Sequence, residues 1–164
     1  METAFRLNEI TQKIGFAVWQ LQELECVSAK YFVLVAQAEK GMGEVTCGKL
    51  VEKAIKETFG RTIHKIAKEG ILSTELENRF HNLLSERNWL IHRSRADSWA
   101  AIHSNKAMDI LVNRIDAIGK ESLSLLYETQ HLSMNFINKQ NVTKEYIHRK
   151  AGELLQQWHK SESI

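Results

Sequence analysis

Apolar side chains recur along this chain at alternating steps of three and four residues, and no stretch shows the two-residue alternation of a surface strand. The first run, residues 5–38, carries Ile10, Ile14, Ala17, Leu21, Leu24, Ser28, Tyr31 and Val35 on one stripe. That spacing predicts a long helix packed lengthwise in a bundle. Gly41 and Gly43, then Gly48, Gly60 and Gly70, predict breaks around two short helices, near residues 49–59 and 62–68. A longer helix is expected from Thr74, whose hydroxyl forms a capping box with Glu77, to about Arg93–Ala96, with Leu76, Phe80, Leu83 and Leu90 as its seam. A fourth, over 101–138, carries Met108, Leu111, Ile115, Ile118, Leu125, Leu132 and Phe136 on one side. Asn141-Val142-Thr143 opens the last, with Ile147, Ala151, Leu154 and Trp158 as its stripe. The pattern predicts an all-α, up-and-down bundle of four to five main helices with one or two short ones, in a single domain over 1–164.

Composition supports that picture and narrows the chemistry. The 164 residues include no proline, so nothing in the chain forces a helix to stop. No run of apolar residues is long enough for a membrane span, and Met1-Glu2-Thr3-Ala4 carries no signal pattern; a cytoplasmic protein with no membrane contact is expected. Cys26 and Cys47 lack CxxC spacing, which predicts free thiols, Cys26 as a small buried one. His64, His81, His103, His131, His148 and His159 show no HExxH or close pairing, so neither a zinc site nor another cofactor is expected. No glycine-rich phosphate loop precedes a helix, which leaves nucleotide hydrolysis unsupported.

Arg87 breaks the pattern. It falls between Leu83 and Leu90 in the seam of its helix, where a leucine would be expected. A guanidinium buried there without a partner costs several kcal/mol, on the order of 3–5. It therefore needs an acid, a wet cleft or an anionic ligand. Asn88 follows it directly, and His92 lies five residues on. His92 is the residue type that moves protons near neutral pH, and Arg87 the type that grips a phosphate through two parallel donors. On a regular helix the two point about 140° apart, so one straight helix does not aim both at one phosphate. Asn88 and His92 lie about 40° apart, near enough for the amide to orient the imidazole or to contact the phosphate itself.

The segment Arg87-Asn88-Trp89-Leu90-Ile91-His92 resembles the signature of the HEPN superfamily, an arginine, four to six residues and a histidine, often with a polar residue after the arginine. The expected bundle extends that likeness over most of the chain. The resemblance implies a metal-independent endoribonuclease whose composite site forms between two subunits, with products ending in 2′,3′-cyclic phosphate and 5′-hydroxyl. It also implies a place in toxin–antitoxin, phage-defence or RNA-processing systems. Under it Arg87, His92 and Asn88 are the catalytic candidates, in a homodimer acting on RNA, with a cognate toxin or antitoxin as a further partner.

The surroundings add to this reading and supply its competitor. Arg79, Arg87, Arg93, Arg95 and Lys106, with His92 and His103, make a basic patch in an otherwise nearly neutral chain of net charge +2, and Arg93 and Arg95 are the expected RNA contacts. Trp89 stands on a polar face of Asn78, Asn82 and Ser85 and suits a subunit or interhelical contact. Trp99 is read as a core residue at a helix junction, with stacking on an unpaired base as the alternative. Glu86 is read as an exposed helix glutamate. The competing function is a noncatalytic helical binding protein, such as an immunity protein, antitoxin or assembly subunit. In that case Arg87 forms a structural ion pair with Glu23 or Glu25 of the first helix.

Overall fold

The computed structural model describes residues 2–161, which form seven helices and no strand. Contacts divide the chain into two units, 1–130 and 131–164. The first is an all-α bundle built on α1 (Glu2–Ala36). The stripe expected on α1 is largely the buried one: Ile10, Ala17, Leu21, Leu24, Ser28 and Tyr31 are buried, Ile14 and Val35 only partly so, and Ala29, Phe32 and Val33 join them near its end. Helices α2 (Glu44–Ile55), α3 (Phe59–Lys68), α4 (Thr74–His92) and α5 (Ser94–Ala101) each pack against α1. The part of α6 (Asn105–Lys139) within this unit supplies Met108, Leu111, Ile115, Ile118 and Leu125 to the core.

Several local features differ from the sequence expectation. Gly48 lies inside α2 and Gly60 in the first turn of α3, so neither breaks a helix. Gly60 meets Leu84 of α4, where a β-carbon would sit 3.3 Å from that side chain, and this close approach is what its lack of a side chain serves. Gly41 and Gly70 do break the chain, both in the left-handed region (φ +88° and +62°). The cap of α4 is Ser73 rather than Thr74: its hydroxyl accepts from the Leu76 amide at 3.3 Å.

The main departure is α5. The helix expected to end near Arg93–Ala96 ends at His92, and Arg93 (φ −128°, ψ −17°) caps the start of a further helix where none was expected. The buried face of α5 is Ser94, Ser98 and Ala101. The Ser94 hydroxyl donates to the Leu90 carbonyl at 2.6 Å and the Ser98 hydroxyl to the Ser94 carbonyl at 2.8 Å, which lets small polar residues lie against α1 without an orphaned donor.

The second unit holds the last turns of α6 and α7 (Lys144–Ser161). Asn141, with φ 58°, makes the left-handed turn between them, and the Thr143 hydroxyl accepts from the Tyr146 amide at 3.2 Å to start α7. Leu154 is half exposed, Ile147 is partly buried, and the Trp158 side chain, the last position of the expected stripe, lies outside the described residues. No helix among the described residues is long and apolar enough to cross a membrane.

Candidate functional site

Helix α4 turns three differently furnished faces to its surroundings. Leu76, Phe80, Leu83 and Leu90 are buried along its seam. Arg87 continues that seam toward α1, and there meets the acid it needs: its Nε donates to Glu25 Oε1 at 3.1 Å. Of the two α1 glutamates expected to serve, Glu25 does so, one residue after the buried Leu24. The guanidinium is only partly occupied. Nη1 makes a long 3.4 Å contact to Asn88 Oδ1, and the side chains of Arg87 and Glu25 remain 28% and 25% exposed.

That residual exposure is a recess. A cavity of about 450 Å³ is lined by Arg87 and Asn88 of α4, Glu25 of α1, Lys56 and Glu57 before α3, and Thr58, Phe59 and Gly60 at the start of α3. The first amides of a helix have no intrahelical acceptor, and with the helix dipole they favour an anion; at α3 the Thr58 hydroxyl already accepts from one of them, that of Arg61, at 3.4 Å. Glu57 does not cancel this locally. Its carboxylate accepts from Lys65 Nζ at 2.6 Å through both oxygens and lies 3.6 Å from Arg61 Nε. The hydrogen bond from Lys65 holds its pKa below the ordinary carboxylate value. The recess thus combines an arginine with spare donors, a lysine and a helix start. Lys56 and the α3 N-terminus carry no signal in the helical periodicity and were not expected; only the chain's fold brings them to Arg87.

His92 is not part of this wall. It occupies the last residue of α4, exposed, and among the described residues its side chain enters no hydrogen bond or ion pair. One copy therefore brings Arg87 and Asn88 together and leaves His92 outside the recess, in keeping with the angular divergence of positions five apart. Arg93 and Arg95 are both exposed, at the α4–α5 junction and on α5.

The third face looks to α6 across a cavity of about 330 Å³ bordered by Arg79, Glu86 and Arg114, and the charges around it are paired. Arg79, expected in the basic patch, is fully committed. Its Nε and Nη2 donate to Glu121 at 2.7 and 3.2 Å, Nη2 also to the Ser124 hydroxyl at 2.9 Å, and Nη1 to Glu128. These carboxylates raise its pKa well above the ordinary arginine value. Glu86 is no free surface acid: Arg114 of α6 grips it through Nε and Nη2 at 2.7 and 3.0 Å. The same guanidinium stacks on Trp89 with its carbon 3.5 Å from the ring centre, while the indole Nε1 donates to Asp97 Oδ2 at 2.9 Å. Trp89 is thus an interhelical contact within one copy. Trp99, expected in the core, is 72% exposed instead. No family model matches this chain, and no curated protein or solved structure matches it.

Proposed function

We propose that the chain is a metal-independent endoribonuclease of the HEPN type, a toxin or phage-defence effector acting on RNA in the cytoplasm as a homodimer. The observation that carries the reading is Arg87 itself, a seam arginine held through one nitrogen by Glu25 and opening on a recess of about 450 Å³, ample for a phosphate. In this reading an RNA phosphate enters the recess and Arg87 stabilises charge growing on its non-bridging oxygens, while Asn88 orients it. His92 of the second copy takes the proton of the neighbouring 2′-hydroxyl as its oxygen bonds to phosphorus. The bond from phosphorus to the 5′-oxygen breaks, and that oxygen takes a proton from solvent water as it leaves, giving a 2′,3′-cyclic phosphate and a 5′-hydroxyl. Arg93 and Arg95 hold flanking phosphates. Supplying His92 from a partner removes the angular conflict that one helix cannot resolve.

A second reading keeps a claim because of the Arg87–Glu25 contact, which is what a purely structural arginine would make. Under it the chain is a noncatalytic binding protein, such as an immunity protein, antitoxin or assembly subunit. The test is purified protein with total RNA in EDTA. Cleavage should survive chelation and vanish in both Arg87→Ala and His92→Ala, and an equimolar mixture of these two variants should regain activity if each supplies the residue the other lacks. Equal cleavage by the folded variants would remove both residues from the chemistry. Sedimentation as monomer alone would remove the shared site.

A further inference from the structure

Helix α5 carries a ridge of which the nuclease reading uses only Arg95. Arg95 and Trp99 lie four residues apart and so share one side of the helix, and His103 stands in the turn just after its end. All three are exposed. The His103 ring meets the indole edge-on, with centroids 5.9 Å apart and planes at 76°. The helix is anchored by its opposite side, through Ser94, Ser98 and Ala101, so Trp99 contributes nothing to the core.

Along the chain, the charges that flank the ring are mostly positive. From Asn88 to Lys106 the cations are Arg93, Arg95 and Lys106, and the acid is Asp97. Asp97 lies two residues before Trp99, hence about 160° away around the helix. It is engaged there, accepting from the Trp89 indole, with the Arg114 guanidinium over the same ring. The ridge therefore presents an exposed aromatic ring one helical turn from Arg95, with Asp97 engaged by Trp89. A protein partner covering it would have to desolvate Arg95. A single-stranded nucleic acid supplies what both features lack, a planar ring for the indole and a phosphate for the guanidinium.

We propose that Trp99 is a stacking platform for an unpaired base of single-stranded RNA, with Arg95 taking an adjacent phosphate and His103 bracing the indole edge. The choice of RNA as ligand rests on the ribonuclease reading, which this deepens by naming an unpaired, extended strand as substrate. The binding itself does not depend on cleavage.

The probe is a fluorescently labelled oligouridylate of eight nucleotides, titrated into His92→Ala protein in EDTA so that it stays intact. Trp99→Ala should weaken binding about tenfold, whereas Trp99→Phe should keep most of it, because a phenyl ring still stacks. Arg95→Gln should make the dependence on salt shallower by about one ion. With so exposed a side chain, the thermal midpoint of Trp99→Ala should match the parent. Unchanged affinity in Trp99→Ala overturns the proposal. So does loss of self-association without loss of RNA binding, which would assign the ridge to a protein contact. If wild-type protein fails to cleave RNA while oligouridylate binding still needs Trp99, the nuclease reading falls and the platform stands. If cleavage proceeds and Trp99→Ala binds normally, the reverse holds.

Discussion

Arg79 and Arg87 sit on one helix, eight residues and about 80° apart, and the chain treats them oppositely. Arg79 has every nitrogen engaged, across α4 and α6, by two glutamates and a serine. Arg87 has one well-made contact, to Glu25, and looks onto a recess that also holds Lys56 and the start of α3. Both carry the same charge and are 28% exposed, so burial does not distinguish them. Satisfaction does. A guanidinium with all donors paired holds helices together, and one with donors to spare is available to a ligand.

The largest effect expected from this contrast is on activity. Arg87→Ala should lower RNA cleavage by about a hundredfold or more, the usual result of removing a donor aimed at developing charge. Its thermal midpoint should fall little, because one partly exposed ion pair contributes roughly 0–1 kcal/mol. A large loss of stability with proportionate loss of activity would make Arg87 a strut like Arg79 and break the contrast. Arg79→Ala should do the opposite. It leaves Glu121 and Glu128 without their shared cation and should cost about 2 kcal/mol, toward the lower end for a charged network because the partners are partly exposed. That corresponds to a Tm about 5 °C lower for a chain of this size, with cleavage per folded molecule unchanged.

How far the sequence reveals this can be followed residue by residue. The stripe from Ile10 to Tyr31 was legible because burial of a helix face imposes a period, and the same logic made Arg87 conspicuous as an exception with an α1 glutamate as its expected acid. Helix α5 was not legible. Its buried side is two serines and an alanine, and serines that return their hydroxyls to the preceding turn leave no hydrophobic mark. The Arg114–Glu86 pair spans 28 positions and joins two helices, so no local pattern announces it. That pairing, with the stacking of Arg114 on Trp89, explains how a large ring comes to stand on a polar face. Trp99 was misjudged for the same reason as α5: without the break at Arg93, its ridge has no reason to face outward. The recess was half legible, Arg87 and Asn88 by motif, Lys56 and the α3 start only through tertiary packing.

Glu25→Gln sharpens the comparison at a finer scale. The amide keeps a hydrogen-bond acceptor near Arg87 Nε but removes the charge that competes with an incoming phosphate. RNA binding should tighten a few-fold, most visibly at low salt, since the side chains are exposed enough to be screened. Weaker binding would mean that Glu25 serves chiefly to aim the guanidinium, and that a correctly pointed arginine matters more than a less neutralised one.

The smallest effect concerns the other carboxylate of the recess. Glu57 is held by Lys65 through both oxygens, with Arg61 nearby, and these cations depress its pKa below the ordinary 4.5. A depressed folded value means that the folded state holds the ionised form more firmly than the unfolded chain does. The resulting stability is fully present above 4.5 and is lost as pH falls from there through the folded value. Glu57→Gln should therefore lower Tm by about 2 °C at neutral pH, a surface-scale ion pair's worth, and the difference from wild type should shrink toward zero as the solution is acidified. Because the Glu57 charge is already spent on Lys65 rather than on Arg87, the same substitution should leave RNA affinity nearly unchanged while Glu25→Gln alters it. If the two glutamates proved interchangeable in a binding titration, the distinction between a carboxylate that holds the arginine and one that merely borders its recess would be lost, and with it the argument that Arg87 keeps donors in reserve.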